Sequence, residues 1–233
     1  MAPSSNYSPD YTVEVRARQS QGTSDPAVLA MVDRAMERRR LCGACVVDVG
    51  CGAGDLYPVV RARFAEYIGV DVVRYDNFPP EARFCRFDLD SGQIPLAEGS
   101  ADVVVAVEVI EHLENPRDFA RQLVRLVKPG GWVIITTPNQ LSVLSLLTLL
   151  VKHRFQAFQD VHYPTHLTAL LEIDLRRIAA ECRLGQVEIE YSLQSRLPGT
   201  AQPYPRWLSR RFPRALSENV LLIGRKADLE CSR

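Results

Sequence analysis

The sequence predicts an α/β protein with a doubly wound, mostly parallel sheet and an antiparallel strand at its C-terminal edge. Short apolar strands alternate with helical stretches along much of the 233 residues, and this alternation is typical of a parallel sheet. Residues 103–107 are apolar without interruption, as expected of a strand that is covered on both faces. A glycine-rich turn joins the first of these strands to the next helix, which is the usual place for a ligand in such folds.

The individual elements follow in order along the chain. Residues 1–25 are rich in Ser, Pro and Tyr without a clear period, so an N-terminal arm is predicted, and residues 26–233 form one domain. Asp25-Pro26 is a typical helix start, and the helix is expected to reach about residue 40. Strands are predicted at residues 44–49, 67–70, 83–87, 102–107 and 132–137, helices at 55–65, 116–127 and 169–182, and two edge strands at 186–191 and 219–224.

One connection is expected to have a short helix or none, and another is expected to be a sharp turn. Residues 72–82 contain Pro79-Pro80 and are poor helix material. Lys128-Pro-Gly-Gly131 predicts a sharp turn into the fifth strand.

Charge and composition narrow the function classes. The formal net charge is zero, so no global field attracts nucleic acid. The first ten residues lack the apolar run of a secretory signal, which predicts a cytoplasmic protein with reduced thiols. The lone Cys42-x-x-Cys45 pair has no second pair, so no zinc site is predicted there.

The segment from Asp48 to Gly54 carries the most information about a ligand. It follows an apolar strand, and glycines occupy every second position at Gly50, Gly52 and Gly54. Glycines allow a tight turn and close approach of a ligand to backbone N–H groups. The third glycine comes one residue too early for a dinucleotide fingerprint, and no triphosphate loop is present.

Further markers follow in the same order as in one enzyme family. The loop, Asp71 after the second strand, Phe87-Asp88-Leu89, the Glu108–Leu113 run and Lys128–Gly131 together resemble the class I S-adenosylmethionine-dependent methyltransferases. This resemblance implies a seven-stranded Rossmann-like sheet, S-adenosylmethionine as cofactor and S-adenosylhomocysteine as product. It implies that Asp71 accepts the ribose hydroxyls and that Asp88 holds the adenine amino group. The implied cofactor-binding residues are Asp48, Gly50, Cys51, Gly52, Gly54, Asp71, Val72, Asp88, Leu89 and Glu108.

The acceptor is expected beside Glu108-x-x-Glu111-His112, directly after strand four. We predict His112, His166 and Glu111 as catalytic residues, with His112 as a general base and His162 as a weaker candidate. Two alternatives stay open: His112 packs as a purely structural residue, or Glu108, Glu111 and His112 hold a divalent metal. Similar runs bind metal in ubiquinone-pathway and small-RNA methyltransferases, but they also occur in relatives without a known metal. No metal is included in the predicted site.

Residues 140–168 are predicted to form a helical insert and lid. Residues 141–151 are apolar but too short to span a bilayer, so three roles stay open: a buried lid, a homodimer contact or an in-plane membrane helix. Residues 203–214 interleave arginines with aromatic side chains, a pattern suited to anionic lipid, phosphate or carboxylate.

The sequence therefore predicts a methyltransferase that acts on a small-molecule, lipid-linked or glycan-linked acceptor, most simply at a hydroxyl. Peripheral membrane contact through residues 141–151 and 203–214 is part of this expectation, and nucleic acid is disfavoured. A metal-dependent RNA 2′-O-methyltransferase and a non-catalytic S-adenosylmethionine-binding protein are the alternatives.

Overall fold

The computed structural model describes residues 13–20 and 22–228, without the side chain of Arg16. Residues 1–12 of the predicted arm lie outside the described residues. The helices are α1 (Val13–Gln19), α2 (Pro26–Arg38), α3 (Tyr57–Val60), α4 (Pro116–Leu126), α5 (Val143–Lys152), α6 (Glu172–Glu181) and α7 (Arg206–Arg211). The strands are β1 (Gly43–Val49), β2 (Phe64–Asp71), β3 (Arg83–Arg86), β4 (Ala101–Ala106), β5 (Val127–Pro138), β6 (Leu184–Tyr191) and β7 (Asn219–Lys226). Short 3-10 turns occur at Ile110–His112 and Asp160–His162.

The seven strands form one sheet in the order β3-β2-β1-β4-β5-β7-β6. Strands β1 to β5 pair in parallel, and β7 runs antiparallel between β5 and β6. The predicted fold class is confirmed. The carboxyl ends of β1, β2 and β4 meet at one edge, where ligands bind in open α/β sheets.

Both faces of the sheet are covered, as the unbroken apolar run in β4 predicts. Val104 and Ala106 face a core that α4 and α6 complete, whereas Val103 and Val105 face a core that α2 and α3 complete. Alternate residues of the strand therefore enter opposite layers. Within the described ranges, no helix combines the length and the apolar content that crossing a bilayer requires.

Helix α2 forms where the sequence predicts it. The Asp25 side chain accepts a hydrogen bond from the Ala27 N–H (2.7 Å), and Pro26 occupies the first turn. One side of the helix packs against the sheet and carries the buried residues Val28, Met31 and Val32. The helix ends at Arg38, slightly before the expected residue 40.

Three predictions need correction. The predicted helix at 55–65 is reduced to the single turn α3, because the Gly43 N–H donates to the Arg63 carbonyl and β2 already begins at Phe64. The expected turn at 128–131 is an irregular beginning of β5, which pairs with β4 from Val127 onward. The predicted arm contains a helix that its sequence did not indicate, because α1 lies within it.

Candidate functional site

A cavity of about 590 Å³ opens at the carboxyl ends of β1, β2 and β4. This volume lies in the range of about 300–1,000 Å³ that is usual for small-molecule and cofactor sites. Of the predicted site residues, it brings together Gly50, Cys51, Gly52, Asp71, Val72, Asp88, Leu89, Glu108, Glu111, His112 and His166. His162, the weaker candidate, also lines it.

The glycine loop forms one wall of the cavity. Gly50 and Gly52 have φ angles of +76° and +50°, in the left-handed region that other residues rarely adopt. The Gly50 N–H donates to the Val70 carbonyl (2.7 Å), which ties the loop to β2. The Gly52 N–H donates to Asp71 Oδ2 (2.9 Å), so the loop and the acid after β2 are held against each other.

Two predicted cofactor residues lie behind the loop and not on the cavity wall. The carboxylate of Asp48 is buried and accepts a hydrogen bond from the Tyr67 hydroxyl (2.5 Å). Burial raises the pKa of Asp48 to about 7. At Gly54, an added Cβ would meet Pro79 Cδ at 2.6 Å. Their placement supports a role in shaping the loop, and their contact with a cofactor stays a prediction.

The predicted ribose and adenine acids lie on the wall. Asp71 Oδ1 also accepts the Val73 N–H (3.1 Å), and burial raises the pKa of Asp71. Asp88 accepts the Asp90 N–H (3.0 Å), which fixes the turn after β3. Both acids lie where the strands end, as their sequence positions predict.

Helix α1 and the segment after it cover the loop. The Ala53 N–H donates to the Gly22 carbonyl (2.8 Å), and the Ser24 N–H donates to Asp55 Oδ2 (3.0 Å). Several residues of this region line the cavity: Val13, Ala17, Gln19, Ser20, Gly22, Thr23 and Ser24. Sequence reasoning missed them, because the arm has no period that indicates a buried face.

Glu108 is held by a distant part of the chain. Its backbone is left-handed with φ +54°, and its Oε1 accepts a hydrogen bond from Asn219 Nδ2 (2.7 Å). Burial and the nearby Glu111 raise the pKa of Glu108 to about 7. Asn219 is another residue that sequence reasoning missed, because only the pairing of β7 beside β5 brings it here.

Glu111 is fully buried and lines the cavity. Its Oε2 accepts a hydrogen bond from the Thr137 hydroxyl (3.0 Å), whereas Oε1 has no hydrogen-bond partner among the described residues. Burial raises the pKa of Glu111 to about 8. Thr137 was also missed as a site residue, although its position at the end of β5 is a usable signal.

Two predicted histidines meet beside Glu111. The rings of His112 and His166 pack edge to face with their centroids 4.7 Å apart. His112 Nδ1 lies 2.8 Å from the Thr165 carbonyl, and His166 Nδ1 lies 2.6 Å from the Ala157 carbonyl. Burial, and then His112, lower the pKa of His166 to about 4, so its ring is neutral near pH 7.

The ionisable side chains on the cavity wall include acids but no lysine or arginine among the described residues. The acids on the wall are Asp71, Asp88, Asp90, Glu108 and Glu111. Such a wall favours neutral or cationic groups over anionic ones.

Comparison with known proteins gives a consistent match. A family model described as a methyltransferase domain matches residues 22–182. Two ubiquinone biosynthesis O-methyltransferases are similar over part of the chain. The protein of Pseudomonas paraeruginosa is 38% identical over 116 residues, which cover 45% of this chain and 48% of that protein. The protein of Chromobacterium violaceum is 29% identical over 136 residues, which cover 54% and 56%. The chain thus matches about half the length of these relatives.

Solved structures show the same fold. A SAM-dependent methyltransferase from Archaeoglobus fulgidus has a TM-score of 0.58 at 17% identity, covering 92% of this chain and 100% of that chain. At this identity the likeness concerns the fold alone. The matched fold includes the sheet whose carboxyl edge carries the cavity.

Proposed function

Because the chain belongs to the class I S-adenosylmethionine-dependent methyltransferases, we propose that it transfers a methyl group to a hydroxyl of an uncharged acceptor. The acceptor class is a small molecule or a lipid-linked or glycan-linked group. One observation carries the proposal: a buried carboxyl group and two histidines lie together on the wall of the cavity, and that wall has no described cationic side chain.

The residues present fit the cofactor of this family. Gly50 and Gly52 expose loop backbone to the cavity, and Asp71 and Asp88 offer carboxylates to hydroxyl and amino groups. When bound, S-adenosylmethionine supplies a methyl group that is activated on a sulfonium. The acids of the wall favour this positive charge.

Another part of the cavity wall suits an acceptor hydroxyl. Glu111, His112 and His166 lie there, and an attacking oxygen must lose its proton beside them. Alignment of the oxygen with the methyl carbon supplies much of the rate in such transfers, and deprotonation contributes about 10²–10⁴-fold. We assign positioning to the cavity wall and activation of the acceptor hydroxyl to this three-residue cluster.

The same wall argues against RNA as acceptor. Nucleic-acid binding depends on lysine and arginine contacts to phosphates, and the described wall has none. The two ubiquinone biosynthesis O-methyltransferases are named for oxygen as the methyl acceptor, which supports a hydroxyl here.

A panel of matched acceptors tests this proposal. Purified protein is incubated with labelled S-adenosylmethionine and a neutral catechol, its carboxylated analogue, its phosphate ester or a short RNA duplex. Methylation of the neutral catechol is expected to exceed that of both anionic analogues. Preference for the phosphate ester or for RNA would contradict the acceptor assignment. Cofactor binding without turnover on any acceptor would support the non-catalytic alternative.

We also propose peripheral contact with anionic membranes. Leu150 and Val151 at the end of α5 are 75% and 78% exposed, and Trp207 on α7 is 71% exposed. Arg210 and Arg211 follow on α7. Exposed apolar side chains together with arginines suit an anionic lipid surface. Helix α5, with ten residues, extends about 15 Å, which is too short to cross a bilayer.

Vesicle flotation tests the membrane contact. The protein should float with phosphatidylglycerol vesicles but not with phosphatidylcholine vesicles. A Leu150→Ser, Val151→Ser double variant should remain unbound, whereas Ile173→Ser, which changes an exposed residue of α6, should float like the original. Absence of flotation would defeat the proposal. A dimer that only the double variant disrupts would assign the surface to self-association instead.

A further inference from the structure

We propose that Glu111, His112 and His166 form a binding site for a divalent transition-metal ion of the zinc type. One carboxylate oxygen and two imidazole nitrogens of these residues lie within 4.8 Å of one another. The cluster lines the cavity, at the place where the acceptor hydroxyl is assigned. The inference deepens the proposed function and rests on it for the role of the ion, but not for the existence of the site.

Both imidazoles are oriented as metal ligands require. A carbonyl oxygen only accepts hydrogen bonds, so the Nδ1 atoms facing Thr165 and Ala157 carry the ring protons. In this tautomer the lone pair of each ring is at Nε2. Metal-binding histidines nearly always donate their other ring N–H to a carbonyl or carboxylate, which fixes the ring and its tautomer. Two histidines from separate segments share this arrangement.

Glu111 adds a buried carboxylate that lacks a second partner. Thr137 donates to Oε2, and Oε1 is enclosed without a hydrogen bond from any described residue. A buried carboxylate oxygen without a partner is costly, and a cation would remove this cost.

The ligand set differs from the one that spacing alone suggests. Glu108 precedes Glu111 and His112 by one helical turn in the sequence, but its Oε1 accepts the Asn219 side-chain N–H. It is not part of the cluster that the geometry brings together. His166 takes the third position, although it comes 54 residues after His112.

The donor atoms indicate the class of ion. Two neutral imidazoles and one carboxylate suit zinc and its first-row neighbours, whereas magnesium and calcium prefer oxygen ligands only. Three protein ligands leave a coordination position for water or substrate, as in catalytic zinc sites.

The proposed role of the ion follows from that open position. The acceptor hydroxyl oxygen binds there, and the ion lowers the pKa of the hydroxyl. Its proton leaves to water at the mouth of the cavity. The oxygen lone pair then forms a bond to the methyl carbon while the carbon–sulfur bond breaks, and that electron pair stays on sulfur. In this arrangement His112 and His166 hold the ion, and neither takes the proton.

Metal titration of the full chain tests the site. After treatment with chelator and its removal, the protein is titrated calorimetrically with zinc chloride and with magnesium chloride, and its cobalt form is examined by visible absorption. We expect one zinc per chain, much weaker magnesium binding and cobalt d–d bands. Absence of zinc binding, or magnesium binding as tight as zinc, would overturn the proposal.

Variants separate the site from adventitious binding. His166→Ala should weaken zinc binding by more than about 100-fold, and Thr137→Val, which frees Glu111, by about 10–100-fold. His153→Asn is the matched control, because His153 is exposed, left-handed and outside the cavity. It should bind zinc fully. Equal losses in the control, or full binding by both site variants, would refute the ligand set.

Cofactor binding and methyl transfer distinguish the two proposals. All variants should bind S-adenosylmethionine, which reports an intact fold. Zinc binding without methylation of any acceptor would leave the metal site standing and remove the proposed function. Methylation that persists in chelator, together with absent zinc binding, would remove the metal site and leave the proposed function standing.

Discussion

Substitution of Gly52 by alanine tests how the N-terminal segment and the cofactor loop depend on each other. Gly52 has φ +50°, and an added Cβ would lie 2.3 Å from the carbonyl oxygen of Gly22. That oxygen accepts the Ala53 N–H at 2.8 Å. A methyl group at this position must therefore push the covering segment away from the loop.

The expected cost has two parts. A left-handed backbone costs an alanine about 1–2 kcal/mol. Loss of the hydrogen bond between Ala53 and Gly22 adds about 0.5–1.5 kcal/mol, so Gly52→Ala should lower the free energy of unfolding by about 1.5–3.5 kcal/mol. Gly199→Ala is the control, because Gly199 has φ +76° but no atom within 4 Å of the added Cβ. It carries the backbone cost alone.

Denaturant unfolding and calorimetry with S-adenosylmethionine measure the two consequences. Gly52→Ala should lose about 1 kcal/mol more stability than Gly199→Ala, which corresponds to the broken hydrogen bond. Its dissociation constant for the cofactor should rise at least about 10-fold, or about 1.4 kcal/mol, because Gly22 and Gly52 both line the cavity. Equal stability losses together with an unchanged dissociation constant would refute the claim that the segment and the loop form one wall.

Three further predictions concern single side chains. Burial raises the pKa of Glu111 to about 8, so without metal its contribution to stability is present below about pH 4.5 and is lost as the pH rises to 8. Between pH 5 and pH 8 the free energy of unfolding of the metal-free original protein should fall by a few kcal/mol, and Glu111→Gln should remove this fall. A variant whose free energy of unfolding falls as much as that of the original would contradict the prediction. Tyr67→Phe removes the hydroxyl that donates to the buried Asp48 and should lower the free energy of unfolding by about 1–3 kcal/mol. An unchanged free energy of unfolding would show that this hydrogen bond does not stabilise the fold. Asp88→Ala should weaken S-adenosylmethionine binding by about 10–100-fold, the loss of a hydrogen bond to a charged group, and equal calorimetric affinity would remove Asp88 from the adenine site.

The cofactor end of the site could be predicted from sequence because its determinants are local. Gly50, Asp71 and Asp88 each follow a strand whose apolar pattern is visible in the chain. The parallel arrangement of these strands then brings their carboxyl ends to one edge. The order of the motifs therefore predicts the sheet and the part of the cavity wall that the strand ends form.

The cover over the loop could not be predicted, since it depends on a contact between distant segments. Val13 and Ala17 of α1 line the cavity, but one helix of seven residues is too short to show a reliable hydrophobic period. In the sequence, nothing distinguishes Gly22 from any other glycine in a polar arm. Only the approach of its carbonyl to Gly52 gives it a specific role.

The cluster of Glu111, His112 and His166 could be predicted by residue type but not by arrangement. The Glu111 carbonyl accepts the N–H groups of Leu167 and Thr168, while His112 donates to the Thr165 carbonyl. These bonds attach the turn after β4 to a segment more than 50 residues later, and they bring His166 beside Glu111. Spacing within Glu108–His112 could not show this, because the conformation of the insert after β5 determines the position of His166. A change in that insert would therefore alter the chemistry of the cavity while leaving the cofactor loop intact.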